Sequence, residues 1–283
     1  MGRLGSIIVV VVVMYSDDIR TSDSTEMQLV VVTALLAVAG AVLPRVIVTG
    51  ATGRTGALVY ANLKADPRIG EVRALVRNAS KAAVVLKCSK CDESEGIYVG
   101  DVTVPASLEA AFMGMTTVAI AVGGAGTKSE KEMRTLELDG LENQIAALAK
   151  NSTSTDGLRA VLCSSGETTN PRPLPFEGGK DLFWKLNGEA FLGSSGIAST
   201  IVKPCGLGDG PPGKTRLVTG HDDKLPPPGI LLFVKRADVA AVMSEAVAAQ
   251  TKSLRFNLCS GLLGKPTPPA DVLKQAAFPW ARL

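Results

Sequence analysis

The sequence predicts an α/β fold in which helices cover both faces of a doubly wound parallel sheet, and three observations lead to this prediction. An apolar strand at 45–49 runs into glycines at 50, 53 and 56, and a helical pattern follows them. Short apolar segments then alternate with helical segments along the rest of the chain. The composition, with 46% hydrophobic and 20% charged residues, is typical of a folded domain and untypical of a disordered chain.

The glycine-rich segment is the strongest functional signal in the chain. It reads Thr-Gly-Ala-Thr-Gly-Arg-Thr-Gly at 49–56, between a predicted buried strand and a predicted helix. In this position the first glycine permits a tight turn, the second lets the backbone approach a pyrophosphate, and the third lets helix and strand pack closely. We therefore predict a Rossmann-type dinucleotide-binding domain whose phosphate-binding residues are Gly50, Thr52, Gly53, Arg54, Thr55 and Gly56.

The end of the second predicted strand, at 71–77, indicates which nicotinamide cofactor is bound. A carboxylate there would accept hydrogen bonds from the ribose hydroxyls of NAD and would repel the 2′-phosphate of NADP. Arg77 stands there instead, and Arg54 in the turn adds a second guanidinium group. Because guanidinium groups bind phosphates through paired hydrogen bonds, we predict NADP (NADPH) as the cofactor. The alternative is that both arginines are solvated surface residues.

The remaining elements are predicted from apolar runs and helical spacing. Further parallel strands are predicted at 97–99, 117–122, 159–164 and 200–203, with a late strand at 255–259. Helices are predicted near 108–112, 136–150, 182–192 and 237–248. Ligands of such sheets bind beyond the carboxyl ends of the strands. This rule selects as cleft residues Asp101, Val102, Val122, Gly123, Ser164, Ser165, Pro204, Cys205 and Gly206.

We expect one domain over residues 44–283, preceded by an extension at 1–43. Loops rich in proline and glycine, mainly 166–180 and 204–230, are predicted to form the substrate region. The extension contains apolar runs at 7–14 and 29–43, both shorter than the roughly 20 apolar residues that span a bilayer, so no stable membrane span is expected. Its small residues at 37–41 resemble the end of a signal peptide, which indicates targeting to an organelle such as a plastid or to the secretory route. A disordered extension of a cytoplasmic protein is the alternative.

Charge and cysteine content argue against a nucleic-acid-binding protein and against a metal site. The 30 basic and 27 acidic residues are dispersed, so no block of like charge is long enough to bind a nucleic acid. The five cysteines form an odd set, which favours a reducing compartment. Cys88 and Cys91 have the spacing of half a zinc site or of a redox pair, but no second pair accompanies them. We therefore predict plain thiols, no metal site, and a small molecule as the binding partner.

Several further segments make the chain resemble the atypical short-chain dehydrogenase/reductase family, in particular its NmrA-like and small plant-type NAD(P)-binding members. The resemblance covers nearly everything after residue 44. Besides the glycine-rich segment, it rests on Leu-Val-Arg at 75–77, Gly-Asp-Val-Thr at 100–103, Glu-Asn-Gln-Ile at 142–145, Ser-Ser-Gly at 164–166, Trp-Lys-Leu-Asn-Gly-Glu at 184–189, Thr-Ile-Val-Lys-Pro at 200–204 and Lys-Arg-Ala-Asp-Val-Ala at 235–240.

The resemblance implies an NADP-dependent oxidoreductase that transfers hydride to a small carbonyl, quinone or iminium substrate. By the same resemblance, Asp101 and Val102 flank the adenine. Ser165 and Lys185 lie near the nicotinamide ribose and are the candidate catalytic residues. Residues 204–206 touch the carboxamide.

The chain departs from the conventional members of the superfamily at the residue that donates the proton. In those members it is a tyrosine four residues before the lysine, whereas this chain has Asp181 there and its tyrosines, at 15, 60 and 98, lie elsewhere. Ser165, a water molecule, Asp181 or Cys205 are the remaining proton sources. The alternative function is therefore a redox sensor or assembly factor that binds NADP(H) without turning it over. The oligomeric state, including a homo-oligomer, is left open.

Overall fold

The computed structural model of the chain describes residues 43–123, 129–150, 152, 154–170, 179–224, 230–231 and 233–277. The extension predicted at 1–43 lies almost entirely outside these residues and stays a prediction. Parts of both predicted substrate loops, at 171–178 and 225–229, also lie outside them. Among the described residues, no helix combines the length and the apolar character that crossing a bilayer requires.

A nine-stranded sheet forms the centre of the described part of the chain. The strands of the molecule are β1 (Arg45–Thr49), β2 (Glu71–Val76), β3 (Ile97–Val99), β4 (Thr117–Ile120), β5 (Arg159–Cys163), β6 (Ala198–Pro204), β7 (Gly206–Gly208), β8 (Leu217–Gly220), β9 (Ile230–Leu231), β10 (Phe233–Lys235) and β11 (Leu254–Gly261). The order in the sheet is β3-β2-β1-β4-β5-β6-β11-β8, and β9 also pairs with β11. Neighbouring strands from β3 to β11 run parallel, whereas β8 and β9 are antiparallel to β11. A separate parallel pair is formed by β7 and β10.

Helices connect the parallel strands and pack on both faces of the sheet. They are α1 (Gly56–Ala65), α2 (Ala79–Leu86), α3 (Glu109–Phe112), α4 (Glu130–Arg134), α5 (Gly140–Ala149), α6 (Gly179–Ser194), α7 (Arg236–Ala248) and α8 (Pro269–Ala276). A π-helical turn, Thr135–Asp139, joins α4 to α5. Short 3-10 turns lie at Glu93–Glu95 and Pro105–Leu108.

The core has two parts because side chains of a strand alternate between the faces of its sheet. In β1, Val46 and Val48 join a cluster that includes residues of α1, α7 and α8, whereas Ile47 joins a second cluster with residues of α5 and the end of α6. All three side chains are fully buried. Both faces of the sheet are therefore covered, as the apolar run at 46–48 requires.

The predicted fold class is confirmed. The order 3-2-1-4-5-6 places the reversal of strand order between β1 and β4, so the carboxyl ends of these strands form the crevice in which such folds bind ligands. The sequence did not predict α2, α4, α8 or the strands β7 to β10. These strands are short and lie in loops rich in proline and glycine, whose pairing depends on partners distant in the chain.

The prediction of plain thiols is wrong for Cys88 and Cys91, and the structure also pairs Cys205 with Cys259. The first two form a disulfide, with Cα atoms 5.1 Å apart across a tight loop. The last two form another, with Cα atoms 5.2 Å apart, because residue 205 follows β6 and β11 pairs with β6. Only Cys163 is a free thiol among the described residues.

Candidate functional site

The glycine-rich turn is held by close contacts between backbone atoms. Gly50 has a φ of +68°, and a Cβ there would lie 2.4 Å from the carbonyl oxygen of Ala121. A Cβ on Gly56 would lie 2.2 Å from the carbonyl oxygen of Gly50. The Gly53 N–H donates to the same Gly50 oxygen at 2.8 Å. The turn therefore needs glycine at 50 for its backbone conformation and at 56 for the approach of α1 to β1.

We expect Gly56→Ala to destabilise the protein by about 1–3 kcal/mol, because the added methyl group has no space beside the Gly50 oxygen. It should also weaken the binding of NADPH by displacing the turn. Urea unfolding and calorimetry measure the two effects. Gly193→Ala is the control, since a Cβ there meets no atom within 4 Å and alanine favours a helix. Equal stability of the two variants would contradict the close contact at Gly56.

The N-terminus of α1 is open to an anion. Thr55 is the residue before the first helical position, and its side chain makes no capping hydrogen bond. Unpaired N–H groups of a first helical turn, together with the helix dipole, favour a phosphate. Arg54 is exposed beside this turn and makes no hydrogen bond or ion pair with another described residue. The residues present therefore fit the pyrophosphate of a dinucleotide.

A cavity of about 460 Å³ lies beyond the carboxyl ends of β2 and β3. Its lining residues are Arg77, Asp101, Thr103, Lys131, Glu132, Thr135 and Leu136. The guanidinium of Arg77 and the ammonium of Lys131 make no hydrogen bond or ion pair with other described residues. Arg54 does not line this cavity. Two cations available for new bonds thus lie where the adenosine half of a dinucleotide binds in this fold.

The walls of this cavity are tied to the glycine-rich turn through α5. The Asn143 amide donates to the carbonyl oxygen of Val102 at 2.9 Å, and the Thr49 hydroxyl donates to the Gln144 side chain at 2.7 Å. Asp101 accepts from the N–H and the hydroxyl of Thr103, at 2.9 and 2.8 Å. The segment 142–145, which the sequence marked only by resemblance, therefore positions both the end of β1 and the loop after β3.

Lys185 lies beside the carboxyl end of β4. Its Nζ donates to Oε2 of Glu137 at 2.7 Å, and the two side chains are only 13% and 8% exposed. A Cβ on Gly123, the residue selected at the end of β4 together with Val122, would lie 3.8 Å from Nζ of Lys185 and 3.9 Å from Oε1 of Glu137. The structure thus brings Lys185 and Gly123 together and adds a carboxylate that the sequence did not identify.

The charge on Lys185 is maintained by its neighbours. Burial by itself would lower the pKa of Lys185, but the carboxylates of Glu137 and Asp181 outweigh burial, so the pKa is raised above its usual value. The thiol of Cys163, at the end of β5, has its pKa raised by burial to about 11. At neutral pH the lysine is therefore a cation, and the thiol is neutral.

The segment after β5 lies against the segment after β6. The Gly166 N–H donates to the carbonyl oxygen of Pro204 at 2.8 Å, and a Cβ on Gly166 would lie 3.2 Å from that oxygen. Ser165 is partly exposed, and its hydroxyl makes no hydrogen bond with another described residue. Cys205 donates its N–H to Leu258 at 2.9 Å and has no thiol proton because it is bonded to Cys259. The prediction that Cys205 could donate a proton is therefore wrong.

A buried network of charges fixes the loop that carries Ser165. Asp223 accepts hydrogen bonds from the N–H groups of Glu167 and Thr169, at 2.8 and 2.7 Å, and from the Thr169 hydroxyl. Asp223 also forms an ion pair with Lys203, which is fully buried and whose Nζ lies 3.0 Å from Oδ2 of Asp223. Burial alone would raise the pKa of Asp223, but these hydrogen bonds and the Lys203 charge hold it at about 2. Asp223 is therefore ionised under ordinary conditions.

No described tyrosine lies in this site. Tyr60 is buried in α1, and the ring of Tyr98 on β3 lies 5.0 Å beneath the guanidinium carbon of Arg73. Sequence reasoning missed Lys131, Thr135 and Glu137, which all lie in the stretch 130–139. A π-helical turn has no distinct sequence pattern, and the signal that could have directed attention there is the density of charged residues in that stretch.

Residues 50–250 match the family model described as NAD(P)H-binding. A relative from Arabidopsis thaliana, described as an uncharacterised chloroplastic protein, is 30% identical over 247 residues, which are 80% of this chain and 72% of that protein. The sanguinarine reductase of Eschscholzia californica is 27% identical over 253 residues, covering 76% of this chain and 88% of that protein.

Solved structures share the fold. A protein from Bacillus halodurans, assigned to the NAD-dependent epimerases and dehydratases, superposes with a TM-score of 0.66 at 24% identity. The match covers 82% of this chain and 99% of that protein. At this level of identity the likeness is evidence for the fold alone.

Proposed function

Because this chain belongs to the family of NAD(P)H-binding proteins, we propose that it is an NADP-dependent reductase that delivers hydride to a small carbonyl, quinone or iminium compound. The observation that carries this proposal is the cavity at the ends of β2 and β3, where Arg77 has no partner among the described residues. A guanidinium there suits the 2′-phosphate, the group that distinguishes NADP from NAD.

Different groups of residues would bind the different parts of the cofactor. The turn at 50–56 would hold the pyrophosphate, with Thr52, Gly53 and Thr55 at the open N-terminus of α1. Arg54 would contact the phosphates from the exposed side of the turn. Asp101 and Val102 would contact the adenine side, and Pro204, Cys205 and Gly206 the carboxamide. When bound, the nicotinamide would supply the hydride.

The substrate class follows from which residues can supply a proton. Lys185 stays charged beside Glu137 and Asp181, so it can donate hydrogen bonds but is a weak acid at neutral pH. Ser165 is available at the end of β5, but a serine hydroxyl is a weaker acid than the tyrosine of conventional members. Hydride addition to an iminium carbon gives a neutral amine and needs no proton. Hydride addition to an aldehyde leaves an alkoxide, a strong base that must be protonated. Hydride addition to a quinone leaves a hydroquinone anion, whose charge is delocalised over the aromatic ring and which can take a proton from water after release.

We therefore expect iminium compounds and quinones to be reduced faster than aldehydes. NADPH oxidation measured across a panel of the three classes, at equal concentrations and pH 7, tests this order. Ser165→Ala should slow aldehydes most, because only the alkoxide depends on a nearby hydroxyl. Tight NADPH binding with no turnover of any class would overturn the reductase proposal.

The second candidate is a protein that binds NADP(H) as a sensor or assembly factor without catalysis. The observation that favours it is the absence of a tyrosine beside Lys185 among the described residues. The same panel decides between the two candidates, since the sensor requires binding and no turnover.

The relative from Arabidopsis thaliana is described as chloroplastic, and the first 43 residues resemble a targeting segment. These two observations support a plastid location. The N-terminal sequence of the mature protein tests whether a targeting segment is removed, because a processed protein would begin close to residue 43. Import of the full chain into isolated plastids separates a plastid location from the secretory route.

A further inference from the structure

The ion pair between Lys185 and Glu137 is unusual in its position. A buried ion pair generally stabilises a protein little more than apolar residues of the same size would. Here the two charged groups lie at the end of β4, in the crevice of the sheet, and face the Cα of Gly123, which has no side chain to cover them. The presence of an ion pair at this position is better explained by ligand binding than by a contribution to stability.

Glu137 is aimed into the crevice by the π-helical turn. The turn Thr135–Asp139 inserts an extra residue between α4 and α5, which re-aims its side chains relative to a continuous α-helix. Gly188 of α6 allows the close approach, since a Cβ there would lie 2.7 Å from the Glu137 carbonyl oxygen. The carboxylate and the lysine are thereby fixed against each other from two different helices.

The pair offers complementary groups to a vicinal diol. Lys185 has three N–H bonds, one of which goes to Oε2 of Glu137. A second can be donated to one hydroxyl of a ribose. Oε1 of Glu137, which faces Gly123, can accept from the adjacent hydroxyl. An ammonium alone could only donate.

We infer that Glu137 is a positioning residue that holds Lys185 in place and accepts a hydrogen bond from the nicotinamide ribose, in the crevice beside Gly123. This inference rests on the proposed function, because it requires a nicotinamide cofactor. The two halves of the cofactor would be bound by separate groups of residues. Glu137 would contact the nicotinamide half, and the cavity at Arg77 would hold the adenosine half.

The inference is tested by binding rather than by activity. Calorimetry would compare NADP⁺ with adenosine 2′,5′-bisphosphate, which lacks the nicotinamide half. Glu137→Gln should weaken NADP⁺ binding about tenfold at pH 7 and leave the bisphosphate unchanged. Glu130→Gln is the matched control, because Glu130 also pairs with a lysine of α6, Lys180, at 2.7 Å, but on the exposed surface. It should leave both affinities unchanged.

The pH dependence distinguishes positioning from a merely structural role. The ionisable groups that face Lys185 are Glu137, Asp181 and Cys163. In Glu137→Gln, burial becomes the largest influence on the pKa of Lys185, so this pKa should fall. Lys185 would then lose its charge as the pH rises from 7 to 10, and NADP⁺ binding should weaken further over that range. Wild type should show no such loss over that range. Glu137→Asp, which keeps the charge and shortens the side chain, should bind NADP⁺ weakly without this pH dependence.

Three results would overturn the inference. The first is that both Glu137 variants bind NADP⁺ as wild type does. The second is that Glu137→Gln weakens the bisphosphate as much as NADP⁺, which would indicate a general loss of structure. The third is that wild type binds neither ligand, which would overturn the proposed function as well. If Glu137→Gln does not fold, Glu137→Asp carries the test, and an unchanged NADP⁺ affinity for it would refute the role of Glu137.

Discussion

Arg77→Asp should weaken the binding of NADPH about 100-fold and change the binding of NADH little. The substitution removes charge-assisted hydrogen bonds to the 2′-phosphate, which contribute about 3 kcal/mol, and it adds a repelling carboxylate. NADH lacks this phosphate and makes no such bonds. Calorimetric titration of both cofactors measures the ratio of the two losses.

Lys252→Asp is the control for the charge reversal. Lys252 is exposed and lies just before the amino end of β11, at the edge of the sheet opposite to the crevice. Lys252→Asp changes the net charge by the same amount as Arg77→Asp. It therefore controls for long-range electrostatic effects, which salt also screens. Equal losses of NADPH and NADH affinity in Arg77→Asp would refute the phosphate contact.

Asp223→Asn should destabilise the protein by about 3 kcal/mol, because it leaves the fully buried Lys203 with the more distant carboxylate of Glu189, 3.9 Å away, in place of Asp223 at 3.0 Å. Asp223 has a φ of +57°, which asparagine tolerates well, so backbone strain does not contribute. The loop bearing Ser165 should loosen, since the Glu167 and Thr169 N–H groups lose a charged acceptor. Urea unfolding at pH 7 measures the free energy.

Asp222→Asn is the matched control, since its carboxylate is 65% exposed and pairs with Arg255 at the surface. Its cost should be below about 1 kcal/mol. Similar losses for the two neighbouring variants would show that the buried network has no special role.

The same carboxylate predicts a loss of stability in acid. The folded-state pKa of Asp223, about 2, is below its ordinary value of 3.8. Its stabilising effect is therefore complete above about pH 4 and is lost as the pH falls towards 2. The difference in unfolding free energy between wild type and Asp223→Asn should shrink over this window, and a constant difference would contradict the assignment.

The family resemblance, the fold class and a nicotinamide cofactor could be inferred from the sequence because each depends on local patterns. The strand–glycine–helix segment at 45–65 has its own geometry, and the apolar run at 46–48 requires cover on both faces. The preference for NADP, the roles of Ser165 and Lys185 and the targeting extension stay predictions. They depend on ligand contacts or on residues outside the described part of the chain.

Amino-acid order alone determined where the backbone must turn and which strands must be buried, since glycine conformation and apolar periodicity act between neighbours in the chain. Tertiary structure decided which charges meet. Glu137 reaches Lys185 from a different helix, Lys131 shares a cavity with Arg77, and residues 205 and 259 become neighbours through strand pairing. Such contacts join segments tens of residues apart, and their distances are fixed by packing of the whole sheet rather than by any local preference.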